Sequence, residues 1–162
     1  MMRYSFLIGI VFLMISCKKR VETQFSELAL KETLVSIKGD TLQFNQVLKK
    51  YQGKKTLIDV WATWCGDCIK GMPKIVDLQK KYPNVNYLFI SIDESLEDLQ
   101  KGVKKYEVKG EHYLLPSKWE GDFSKFLDLS WIPRYLAIDE QGKILVFNEV
   151  DANAKEIQNA LK

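Results

Sequence analysis

A chain of 162 residues, 46% hydrophobic and 28% charged, has room for one domain whose core needs no disulfide staples. The formal charge is only +3. Its lysines are dispersed in pairs among acids, as on solvated helix faces, which argues against a phosphate-tracking surface and against nucleic acid as a partner.

Met1-Met2-Arg3 is a short positive start, and residues 4–15 carry no charge. A bilayer crossing takes about 20 apolar residues, so this run fits the apolar segment of a secretory signal peptide better. It stops at Ser16-Cys17, where Lys18-Lys19-Arg20 turns the chain basic. Leu13-Met14-Ile15-Ser16-Cys17 resembles a bacterial lipoprotein processing site, in which a small residue precedes the cysteine that receives lipid. The expected division is therefore a signal peptide over 1–16, lipidated Cys17 with a polar tether over 17–27, and a folded domain over 28–162. An uncleaved membrane anchor with an incidental Cys17 is the alternative. Both place the domain outside the cytoplasm, on the periplasmic side of a bacterial membrane.

Residues 34–37 and 41–44 flank Lys38-Gly39-Asp40 and predict a β-hairpin. Asn45 reads as the cap of a short helix through Tyr51, stopped at Gly53. Residues 56–61 form an almost continuous apolar run, suited to a strand covered on both faces. A helix beginning near Cys65 carries Ile69, Met72, Ile75, Val76 and Leu78 at helical spacing, with a kink expected at Pro73. Residues 85–92 predict a second buried strand, and Ser95-Leu96-Glu97-Asp98 opens another helix with acids in its first turn. Residues 110–129, which include His112, Trp119, Phe123 and Phe126, read as core and irregular connection. Residues 135–138 and 143–147 predict two strands joined by a turn over 139–142, and residues 151–162 a closing helix. This order implies an α/β fold, a mixed sheet with helices on both faces.

Of three cysteines, Cys17 is assigned to lipid, which leaves Cys65 and Cys68 in Trp64-Cys65-Gly66-Asp67-Cys68. A bridge that closes so short a loop adds little stability, so the pair reads as reactive rather than structural. Zinc needs about four ligands, and only His112 and Cys17 remain as further histidine or cysteine. Haem attachment needs a histidine directly after Cys68, where Ile69 stands. With Cys65 at a helix start, Cys68 falls on the same face, within disulfide reach. The helix N-terminus favours a Cys65 thiolate, so Cys65 attacks and Cys68 resolves. No cofactor and no metal are expected.

The flanking residues carry a resemblance. Leu57-Ile58-Asp59-Val60-Trp61-Ala62-Thr63-Trp64-Cys65-Gly66-Asp67-Cys68, with Pro73 five residues on, is similar to the active-site segment of thioredoxins. Phe89-Ile90-Ser91-Ile92-Asp93-Glu94, Trp131-Ile132-Pro133-Arg134-Tyr135-Leu136-Ala137-Ile138-Asp139 and Gly142-Lys143-Ile144 resemble the TlpA/ResA-like branch, membrane-tethered reductases that act outside the cytoplasm. The resemblance covers roughly residues 28–162. It implies a thioredoxin fold with an N-terminal β-hairpin extension, and a cis bond at Pro133 beside the dithiol that lets the Ile132 backbone pair with a bound peptide. It also implies that Asp59 accepts the proton of Cys68. The apolar run around Asp59 predicts burial, which would raise its pKa towards neutrality. Trp64 lines the groove where a client docks, and Trp131 is a further candidate for that surface.

The expected activity is reduction of disulfides in extracytoplasmic client proteins, by a monomer that draws electrons from a membrane thiol carrier. Apocytochrome c is a client suggested by analogy with the family alone. Oxidation or isomerisation of the same clients, or a binding module with an idle dithiol, are the alternatives. Asp67 is the departure from the thioredoxin pattern, where proline is common. Its charge opposes thiolate formation at Cys65 and predicts a more reducing couple.

Overall fold

The structure is a computed structural model that describes residues 20–107 and 109–162. Cys17 and the signal segment lie outside the described residues. The elements run α1 (Glu27–Lys31), β1 (Thr33–Ser36), β2 (Thr41–Gln43), α2 (Phe44–Lys49), β3 (Thr56–Trp61), α3 (Gly66–Lys81) and β4 (Asn86–Ser91). There follow α4 (Leu96–Tyr106), β5 (Glu111–Leu114), α5 (Asp122–Phe126), β6 (Arg134–Ile138), β7 (Ile144–Glu149) and α6 (Lys155–Leu161).

All seven of these strands join one mixed sheet in the order β2-β1-β5-β4-β3-β6-β7. Strands β3, β4 and β5 are parallel, and β6, β7, β1 and β2 add antiparallel pairs at the two sides. Strand β3 sits inside the sheet and is buried at every position, as its almost continuous apolar run predicts. The chain therefore leaves β3 from the middle of the core, and the dithiol follows within a few residues. Helix α3 begins there, with Cys65 as its N-cap, and packs Cys68, Met72, Ile75 and Leu78 inward. Val76 is exposed rather than part of that apolar face. Pro73 lies inside the helix, as expected.

Three expectations need correction. Helix α2 starts at Phe44 and ends at Lys49, so Asn45 is inside it. Its cap is Gln43, whose N–H donates to Gln46 Oε1 at 2.7 Å. The stretch taken as irregular contains β5 and α5, and β5 is an interior strand paired with both β4 and β1. Its four residues begin with Glu111 and His112, too short and too polar for alternation to reveal it. The packed part of the chain also begins before residue 28. Phe25 is buried edge-to-face on Phe44 at 5.0 Å, and Ile144 N–H donates to the Thr23 carbonyl at 2.9 Å.

Cross-strand register sets one row that matters for chemistry. Tyr135, Asp59, Phe89 and His112 are neighbours on β6, β3, β4 and β5, so their side chains share a face of the sheet. That face is the one covered by α3. A Cβ added at Gly71 would stand 3.1 Å from Tyr135 Oη, so the helix approaches the row closely enough to favour glycine.

Candidate active site

The turn from β3 into α3 places the dithiol. Cys65 N–H donates to the Ala62 carbonyl at 3.1 Å, which closes the turn, and Cys65 then caps the helix in an extended conformation. Its sulfur accepts the Cys68 N–H at 3.1 Å, one of the donors that a helix N-terminus leaves free. Cys65 and Cys68 form a disulfide with Cα atoms 5.3 Å apart. Both residues are buried, Cys68 the more completely. A donor aimed at the Cys65 sulfur stabilises negative charge there.

The Ile132–Pro133 bond is cis, as the family resemblance implied. It brings the Ile132 carbonyl to 3.7 Å from Cys65 Sγ, so the loop before β6 lies directly against the dithiol. Trp64, directly before Cys65, and Trp131, directly before Ile132, are large exposed aromatics, at 55% and 50% exposure. Trp131 rests on the Arg134 guanidinium, 4.8 Å from its ring, and its carbonyl accepts from Arg134 Nη2 at 3.3 Å. Asp67 points to solvent at the start of α3 and pairs with Lys70 at 3.1 Å.

Asp59 is 2% exposed, and neither of its oxygens has a hydrogen-bond partner among the described residues. Burial with nothing to stabilise the anion pushes its carboxyl well above the ordinary value. Tyr135, opposite it in the row, has its phenol pushed up by burial first, then by the charges of Asp59 and Asp151. His112 is buried and stacks on Phe89, with ring centroids 4.7 Å apart, and takes a place in the core rather than in the site.

The structure thus gathers Cys65, Cys68, Ile132, Pro133, Trp64 and Trp131 at one end of the sheet, with Asp59 beneath α3. Sequence reasoning had not assigned a part to Tyr135, Thr63 or Asp93. The only signal was a polar residue inside or just after an apolar run, which by itself names no partner.

The profile of the Redoxin family matches residues 24–161. The chain belongs to the Redoxin family. Within it the chain is similar to thioredoxin-like oxidoreductases of the ResA type. It is 26% identical over 117 residues to the thiol-disulfide oxidoreductase ResA of Bacillus thuringiensis, covering 71% of this chain and 66% of that protein, just under two thirds of its length. The thioredoxin-like protein YneN of Bacillus subtilis is 26% identical over 148 residues, 89% of this chain and 82% of that one. The redoxin fold here superposes on the thioredoxin domain of a thiol-disulfide oxidoreductase from Bacteroides vulgatus with a TM-score of 0.68 at 22% identity, over 88% of this chain and 96% of that one. A thiol-disulfide oxidoreductase from Bacteroides fragilis gives 0.68 at 20% identity, over 83% and 97%. At such identities these two structures speak for the fold.

Proposed function

We propose that this redoxin is a thiol–disulfide oxidoreductase that reduces disulfides of extracytoplasmic proteins. The observation that carries the proposal is the Cys65 sulfur itself, held at a helix N-terminus with the Cys68 N–H aimed at it and the cis-proline loop alongside.

In the reduced protein the Cys65 thiolate attacks one sulfur of a client disulfide. The client's S–S bond breaks, its other sulfur leaves as a thiolate, and a mixed disulfide with Cys65 forms. Asp59 takes the proton of Cys68, as a buried carboxylate whose pKa is raised is suited to do. Cys68 then attacks Cys65 Sγ, releasing the second client thiol and closing the Cys65–Cys68 disulfide. Two electrons have passed to the client, and a membrane dithiol carrier returns them together with two protons. Trp64 and Trp131 offer apolar surface to the client, and the Ile132 backbone pairs with its chain.

The reducing direction draws support from Asp67, whose charge beside the dithiol disfavours the thiolate form and so favours the disulfide. The extracytoplasmic site and lipid attachment at Cys17 draw support from the N-terminal sequence pattern. Among the described residues no helix is long and apolar enough to cross a membrane.

Reduction of insulin disulfides by protein beginning at residue 21, with dithiothreitol as electron source, tests the reading. Turnover lost in Cys65→Ser is the expected result. Equal rates in the wild type and Cys65→Ser would leave only a binding module.

A further inference from the structure

The backbone ladder between β3 and β4 ends at the Trp61–Ser91 pair, after which Ile92 N–H donates to the Trp61 carbonyl at 3.0 Å. Beyond that point both chains leave the sheet, and Ala62, Thr63 and Trp64 lead to the reactive sulfur. A side chain takes over where the ladder stops. Asp93, two residues past Ser91, is fully buried, and its Oδ1 accepts both the Thr63 N–H at 2.9 Å and the Thr63 hydroxyl at 2.8 Å. Its Oδ2 accepts the Ser91 hydroxyl at 2.6 Å, while the Ser91 oxygen accepts the Asp93 N–H at 2.9 Å. All these donors are uncharged. Burying a carboxylate is costly, and charge-assisted hydrogen bonds of this kind are what offset the cost.

A second contact holds the same residue from the other side. A Cβ at Gly102 of α4 would fall 2.0 Å from Thr63 Cγ2, so α4 closes on the Thr63 methyl only because glycine stands there. Thr63 is clamped between a buried carboxylate and a bare stretch of helix.

We propose that Asp93 is a positioning residue for Cys65. Through Thr63 it holds the Ala62–Cys65 turn so that the sulfur stays in line with the Cys68 N–H. The inference rests on the redox role proposed above for Cys65. Helix-terminus stabilisation of charge fades within about one turn, so a small displacement of the turn weakens it.

The test is the pH profile of Cys65 alkylation by iodoacetamide in the reduced full-length protein, read at Cys65 by mass spectrometry. Asp93→Ala is expected to move the profile to higher pH and to slow alkylation at pH 7 by about threefold or more, because the thiolate loses its aligned donor. Removing a negative charge alone would move the profile the other way, so the sign separates position from charge. Asp93→Asn keeps an acceptor for both Thr63 donors and is expected to sit at or below the wild-type profile. Thr63→Val keeps the shape, removes one donor, and should shift the profile upward by less than Asp93→Ala. It decides the matter alone if Asp93→Ala does not fold. Profiles that stay in place or fall in both Asp93→Ala and Thr63→Val overturn the proposal. An Asp93→Asn profile raised as far as that of Asp93→Ala overturns it too. Upward shifts in a protein that does not reduce insulin would overturn the reductase reading and leave the positioning role standing.

Discussion

Asp59 and Tyr135 face each other in register across β3 and β6, on the face of the sheet that α3 covers. Neither carries a counter-charge, and burial raises the pKa of both. The pair forms a neutral, water-poor floor beneath the active-site helix. A proton can be held there on Asp59 at a pH where an exposed aspartate has lost it. Asp59 is also the acid to which the proposed mechanism gives the resolving proton, so its environment makes predictions about both stability and rate.

In the oxidised protein, the folded state binds a proton on Asp59 that the unfolded chain has already released once pH exceeds the ordinary carboxylate value of 3.8. Stability should therefore fall as pH rises from that value through the raised one. Asp59→Asn removes this loss. Thermal unfolding at pH 8 should show the variant at least about 2 °C above wild type, and the difference should vanish near pH 3. In insulin reduction the same variant should be slower by about tenfold or more, because Cys68 loses its proton acceptor.

Trapping separates the two sulfurs. With Cys68→Ser the mixed disulfide on Cys65 has no resolving partner, so clients should accumulate as adducts on non-reducing gels and be released by dithiothreitol. Cys65→Ser should trap none. Adducts of equal yield in both variants would contradict the assigned order of attack.

Asp67 is exposed and shares its charge with Lys70 at 3.1 Å, so its influence on the couple should be modest and sensitive to salt. Redox titration should place the wild type more reducing than Asp67→Asn by on the order of 10 mV, about a factor of two in the equilibrium constant. At 1 M salt the gap should shrink. Asp67→Pro should move in the same direction as Asp67→Asn. A wild type less reducing than both variants would remove the argument for the reducing direction.

The contact between Gly71 and Tyr135 is suited to a double-mutant cycle. In an exposed helix interior, alanine for glycine gains about 1 kcal/mol. Here the new Cβ would lie 3.1 Å from Tyr135 Oη, so Gly71→Ala in the wild-type background should gain less than that or lose stability. In the Tyr135→Phe background, where the hydroxyl is gone, the gain should return. A coupling of about 0.5 kcal/mol or more in denaturant unfolding is the expected outcome.

Much of this protein could be read locally. The almost continuous apolar run of β3 announced a fully covered strand, and the spacing of Cys65 and Cys68 announced a dithiol at a helix start. Both are written within a few neighbouring positions, where periodicity and capping act, whereas the cis bond at Pro133 was legible only through the family resemblance. β5 was hidden because its burial comes from the strands on either side of it, with His112 stacked on Phe89, rather than from its own alternation. Asp59 and Asp93 show the same limit at the site. Both are acids at buried positions close to one helix start, yet one has no hydrogen-bond partner among the described residues, and the other accepts two bonds from Thr63 and one from the Ser91 hydroxyl. Residue type and apolar surroundings indicated burial for Asp59. The partners of either acid depend on how β3 aligns with β4 and β6, contacts between segments some 30 to 75 residues apart that only the packed sheet brings together.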